Sequence, residues 1–142
     1  MNKPIRVLLL AAGFGTRLRP LTFDIPKCLI EIDKKPILGF WLNKLEDFGV
    51  ERILINTHYL ADKVNHYLDN NYLQNGKIKK VYEKELLGTA GTLIANYKFF
   101  LNTTGLMIHS DNFTNMKLTD LIKSHHNRPK SCLITMLTFK TN

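Results

Sequence analysis

Leu8 to Lys27 reads L-L-L-A-A-G-F-G-T-R-L-R-P-L-T-F-D-I-P-K, and the rest of the chain is read outward from it. Ile5 to Ala11 is a short apolar run, rich in branched residues and closed by glycine. That pattern fits a strand buried on both faces at the centre of a parallel sheet. Gly13 and Gly15 follow, and they predict a loop that takes positive backbone angles and lets a ligand approach the main chain. Successive amides in such a loop converge on an anion. Arg17 adds a planar fork of donors, Lys27 a compact charge from the far side of the loop, and Pro20 and Pro26 stiffen the span. The whole suits a polyphosphate.

Two common phosphate loops are excluded by spacing. A dinucleotide fingerprint needs a third glycine at position 18, and Leu18 stands there. A P-loop needs Gly-Lys-Ser/Thr after four intervening residues, and Gly13 again leads to Leu18.

Gly13, Gly15, Thr16, Arg17, Leu18, Pro20, Leu21, Thr22, Pro26 and Lys27 instead fit G-x-G-T-R-L-x-P-L-T, a short spacer, then P-K. With that motif the chain resembles the sugar nucleotidyltransferases, or nucleoside-diphosphate-sugar pyrophosphorylases. A second block, E-K-E-L-L-G-T-A-G from Glu83 to Gly91, resembles the family's base- and ribose-contacting segment. It looks closest to the mannose-1-phosphate guanylyltransferase branch, many of whose members have proline where Leu86 stands. Guanine presents a ring N–H beside an amino group, and one carboxylate accepts both, so Glu83 or Glu85 is the expected acceptor. Gly88, Thr89 and Gly91 would bring backbone against the nucleoside and open a helix over it.

The third block is L-M-I-H-S-D-N-F, in which an apolar run ends at Asp111. A carboxylate at the carboxyl end of a strand lies where open α/β sheets place ligands. In the family this is the first magnesium-binding aspartate, and Ser110 replaces the usual preceding glycine. The resemblance therefore implies Arg17 and Lys27 as catalytic residues. It implies Ala12, Gly13, Gly15, Thr16, Glu83, Glu85, Gly88 and Thr89 as nucleotide-binding, and Mg2+ on Asp111. The implied substrates are a nucleoside triphosphate, best GTP, and a sugar 1-phosphate. The alternatives are a uridylyl- or thymidylyltransferase and a non-catalytic regulatory subunit.

The chain has 142 residues, 44% of them hydrophobic, which is enough for one core and too little for two domains. Family members are longer, so residues 1–142 are expected to be a single nucleotide-binding domain of a C-terminally truncated enzyme. A net charge of +8 raises nucleic-acid binding, but the lysines are scattered, with pairs only at Lys34–Lys35 and Lys79–Lys80. With no aromatic-basic stripe, a solvated basic surface is the reading. No apolar run reaches signal or membrane-spanning length, which points to a cytoplasmic protein. Cys28 and Cys132 lack metal-ligand spacing and read as reduced core thiols. His125 and His126 read as surface residues, His58 as packed or capping, and Trp41 as core.

Strands are expected near 5–11, 52–56, 78–82, 105–110 and 131–139, and helices near 37–48, 61–71, 91–100 and 117–126. Leu38, Trp41, Leu42, Leu45 and Phe48 recur at helical spacing, with Gly49 placed as the cap. This alternation predicts an α/β fold: a Rossmann-like, doubly wound, mostly parallel sheet with helices on both faces.

Overall fold

A computed structural model describes residues 3–72 and 76–138 of the chain. The elements run β1 (Ile5–Leu10), β2 (Glu31–Ile32), β3 (Lys35–Pro36), α1 (Ile37–Phe48), β4 (Arg52–Thr57), α2 (Ala61–Tyr72), β5 (Ile78–Tyr82), α3 (Gly88–Ala95), β6 (Thr104–His109) and α4 (Leu118–His126). The main sheet has the order β5-β4-β1-β6, with every neighbouring pair parallel. β1 is flanked on both sides, as its apolar run requires, and its two partners wind away in opposite directions. The gap between diverging connections at its carboxyl end is where such sheets bind ligands.

The side chains of β1 alternate between two unequal cores. Val7 and Leu9 join Ile53 and Ile55 of β4 in a large core covered by Leu38, Trp41, Leu42 and Leu45 of α1, Val64 and Leu68 of α2, and Leu118 of α4. On the other face Leu8 and Leu54 meet Phe99, from the 3₁₀ turn Tyr97–Phe100 that follows α3. Full burial of each large aliphatic side chain stabilises the fold by roughly 1.5–3 kcal/mol. α1 ends at Gly49, whose φ of 79° lets its N–H close on Leu45 and Glu46 carbonyls.

Three expectations need correction. No strand forms over 131–138; Leu133 is 82% exposed and Ile134 and Met136 are each 77% exposed. A strand needs a neighbouring ladder, and none of the described residues pairs with this segment; residue 139 lies outside the described residues. Cys132, in that segment, is exposed and not a core thiol, whereas Cys28 is buried. The helix expected over 91–100 begins earlier and stops at Ala95, because the Asn96 side chain donates to the Thr92 carbonyl and the chain tightens to 3₁₀. The β2–β3 hairpin was not anticipated. Its turn takes Asp33 and Lys34 at φ 51° and 61°, the primed geometry usually marked by Asn-Gly. Among the described residues no helix is long and apolar enough to cross a membrane.

Candidate active site

A cleft of about 280 Å³ opens at the carboxyl ends of β1, β4 and β6. Its first wall is the loop after β1. Gly15 has φ 65°, and an added Cβ there would lie 2.9 Å from Thr22 Cγ2. The buried Thr22 hydroxyl donates to the Gly15 carbonyl at 2.8 Å, which fixes the loop against the following turn. Tyr59 donates to the carbonyl of Thr22 at 2.9 Å, and Lys63 donates to that of Asp24. The ring of Phe14 stands edge-on to His58 with centroids 5.3 Å apart. The loop is thereby clasped to the β4–α2 connection.

The second wall carries opposite charge. Lys27 Nζ is ion-paired with Asp111 Oδ2, each side chain about one quarter exposed at 25%. Asp111 follows Ser110, whose backbone N–H and hydroxyl both donate to the Leu10 carbonyl, at 3.0 and 2.6 Å. Ser110 thus ties the ends of β1 and β6 together, something glycine would do with one bond fewer. Beyond Asp111, the Trp41 indole donates to the Asn112 carbonyl at 2.7 Å and Lys44 Nζ to that of Thr114 at 3.0 Å. Burial lowers the pKa of Lys44 from its ordinary value. The thiol of Cys28 lies on the cleft floor, and burial pushes it up to about 12, so it is neutral and no nucleophile.

The third wall is formed by Leu86, Gly88 and Thr89. Behind it lies a buried polar chain that the sequence did not disclose. Asn56, 2% exposed, accepts from the Ala11 N–H at 2.8 Å through Oδ1 and donates through Nδ2 to Glu83 Oε1 at 2.9 Å. Glu83 Oε1 also accepts from the Thr92 hydroxyl at 2.5 Å, and Oε2 from the Leu87 N–H at 3.1 Å. His58 Nδ1–H donates to the Glu83 carbonyl at 2.8 Å, the packed role expected for it.

Ala12, Gly13, Gly15, Thr16, Arg17, Lys27, Gly88, Thr89 and Asp111, drawn from distant parts of the sequence, therefore line one cleft. Glu83 and Glu85 do not. Glu83 is 4% exposed with both oxygens occupied inside the protein, and Glu85 points to solvent outside the lining. Of the two expected base acceptors, Glu83 or Glu85, the first is thus buried and bonded to three internal donors, and the second is exposed. Asn56 and His109 line the cleft without having been singled out. His125 and His126 lie on the last turn of α4, and no group of three potential metal ligands occurs among the described residues.

The family model described as "Nucleotidyl transferase" matches residues 6–142. The chain belongs to the nucleotidyl transferase family. Among similar relatives, a UTP--glucose-1-phosphate uridylyltransferase of Synechocystis is 31% identical over 94% of the chain and 37% of its own length. A mannose-1-phosphate guanylyltransferase catalytic subunit beta of Danio rerio is 32% identical over 92% of the chain and 38% of its own length. Among solved structures, HddC from Yersinia pseudotuberculosis complexed with GMP-PN superposes with a TM-score of 0.75 at 32% identity, covering 86% of this chain and 54% of that one. The chain thus spans well under two thirds of the length of each of these proteins, and the family match over residues 6–142 includes all three walls of the cleft.

Proposed function

We propose that the chain is the nucleotide-binding half of a sugar-1-phosphate nucleotidyltransferase that uses GTP. One observation carries the reading: a glycine loop, Arg17 and a Lys27–Asp111 pair share one cleft at the carboxyl end of a parallel sheet. In the reaction a sugar 1-phosphate oxygen attacks the α-phosphorus of the triphosphate, an α–β phosphoanhydride bond breaks, and pyrophosphate leaves. No protein nucleophile is needed, and the neutral Cys28 thiol agrees with that. Catalysis then rests on positioning and on charge neutralisation. The loop amides of Gly13 to Thr16 and the Arg17 fork hold the β- and γ-phosphates as charge builds on them. Lys27 neutralises charge gathering at the α-phosphate.

Asp111 fits a magnesium ion shared with phosphate oxygens and water better than one caged by protein. It is a single, partly exposed carboxylate lining the cleft, and among the described residues it belongs to no group of three potential metal ligands. Bound there, magnesium would neutralise charge between the two phosphoryl groups. Lys27, ion-paired with Asp111, holds the carboxylate in place beforehand.

Guanine is favoured by the relative and the solved complex named for guanine nucleotides. Uridylyl transfer is the second reading, supported by the uridylyltransferase at similar identity. With Glu83 turned inward, base choice falls on Glu85 and on the backbone of Leu86 to Thr89. Thermal unfolding of this chain with magnesium and GTP, UTP, CTP, dTTP or ATP tests the reading. Binding at about a hundred times the dissociation constant adds ~2.7 kcal/mol, a shift of several degrees. A selective shift with GTP supports guanylyl transfer, one with UTP replaces it, and no shift with any nucleotide overturns the nucleotide reading. In the longer enzyme, Arg17→Ala and Lys27→Ala should each lower kcat roughly 10²-fold or more, the scale of one lost transition-state donor. Near-normal turnover in both would remove them from the mechanism.

A further inference from the structure

Two of the three walls of the cleft, the loop after β1 and the segment Leu86 to Thr89, follow strands at different positions in the sheet. Between them runs the buried chain Ala11 N–H to Asn56 to Glu83 to Leu87 N–H. At each end is a backbone donor that the fold holds in place: Ala11 opens the phosphate loop, and Leu87 caps α3. Two fixed donors at the ends of a two-residue chain demand one amide and one carboxylate between them. Asn56 and Glu83 supply that set, and the orientation of the Asn56 amide is dictated by it. Thr92 donates into the same carboxylate at 2.5 Å.

We propose that Asn56 and Glu83 are positioning residues that lock the phosphate loop and the base-side segment into one register, so that the two halves of a nucleotide are bound as a unit. The inference rests on the nucleotide reading of the cleft. Neither residue need touch a reacting atom. Asn56 is contacted from both sides, by Ala11 and by Glu83, and Glu83 is joined to the cleft lining through Asn56, through Leu87 next to Gly88, and through Thr92, whose hydroxyl also lies 2.9 Å from the Gly88 carbonyl.

The donor count makes the proposal testable by exchange of the two residues. Asn56→Asp alone sets two carboxylates against each other, with the single Thr92 hydroxyl proton to serve both in place of the lost amide donor. Glu83→Gln alone provides two amides, and one –NH2 is left facing the Leu87 N–H or the Asn56 amide. In the double variant Asn56→Asp/Glu83→Gln, the carboxylate accepts from Ala11 and from the new amide, whose oxygen accepts from Leu87. The count closes again.

Amide hydrogen exchange on this chain without ligand is the first readout. The Leu87 amide, which Asn56 does not touch, should exchange at least about tenfold faster in Asn56→Asp and return to within about threefold of the parent in the double variant. Unchanged exchange at Leu87 in Asn56→Asp, or a double variant as fast as the two single effects combined, would overturn the lock. The second readout is binding of inorganic tripolyphosphate with magnesium, at a temperature where all variants are folded by circular dichroism. Glu83→Gln, although it lies on the base side, should weaken tripolyphosphate about tenfold, and the double variant should restore it. Tripolyphosphate affinity untouched by Glu83→Gln would mean that the chain is structural filling with no hold on the phosphate loop. Failure of the parent chain to bind any nucleotide counts against the proposed function, whereas the Leu87 exchange rates decide the lock by themselves.

Discussion

Gly15 is held by two constraints at once, a φ of 65° and a neighbour, Thr22 Cγ2, that an added Cβ would meet at 2.9 Å. Gly13 has neither: its Cβ position is open and it is absent from the positive-φ residues. Gly15→Ala should therefore lower unfolding free energy by roughly 1–3 kcal/mol, while Gly13→Ala should change it by under about 0.5 kcal/mol. Urea denaturation of the two variants checks this. Equal effects would mean that Thr22 yields and the loop is soft. Both glycines were legible as loop residues from spacing alone, but their different burdens depend on Thr22, which folds back from the next turn. Glu83 and Glu85 could not be told apart for a similar reason. Both stand in E-K-E, and only the approach of Asn56 from β4 and Thr92 from α3 decides which is buried. Asn56 itself reads as the polar end of an apolar strand, because its three partners, Ala11, Glu83 and Thr92, come from remote sequence.

At the scale of elements, α1 and α2 cross at Gly39, where an added Cβ would lie 2.3 Å from the Tyr67 hydroxyl. The ring carbon Cζ is 3.6 Å away, an ordinary contact, so the hydroxyl alone is the obstacle. Gly39→Ala should destabilise by about 1–3 kcal/mol, and Tyr67→Phe by about 0.5–1.5 kcal/mol for the lost hydrogen bond between its hydroxyl and that of Tyr72. The double variant should cost less than the sum of the two. Strict additivity by chemical denaturation would show that the helices separate rather than clash. Elements with a strong period were legible: β1, β4, β5, β6, α1, α2 and α4 all lie within a residue or two of the positions expected from apolar spacing. The misses are elements whose form depends on a partner. Residues 131–138 carry a strand pattern without a ladder to join, and β2 and β3 pair through an Asp-Lys turn that carries no glycine signal. Helix α3 starts at Gly88 instead of near 91 because Glu83 Oε2 caps Leu87, a bond that no local period reveals.

For the molecule as a whole, the +8 charge forms no stripe, yet it favours any polyanion entering a cleft that already holds Arg17 and Lys27. The dissociation constant for a magnesium-free triphosphate should rise roughly tenfold or more between 0.05 and 0.5 M salt, as screening shortens to a few ångströms. Calorimetric titration at several salt concentrations measures it, and a flat response would locate the binding energy in the base contacts instead. The parallel sheet and the place of its cleft were legible, since alternating strands and helices leave few topologies. The unequal cores on its two faces were not, because side-chain alternation along β1 does not say how much covers each face. The strand order also has a consequence for how the chain is made. β1 leaves the ribosome before either strand that flanks it, for Arg6 pairs across with Arg52 on one side and with Gly105 on the other. At synthesis rates of about 5–20 residues per second, the central strand waits for roughly 2–10 s before its first neighbour exists. During that interval the most apolar stretch of the protein, with the phosphate loop attached, is a bare nascent segment. Slower translation across residues 11–51 should lengthen its exposure and raise the fraction captured by holdase chaperones.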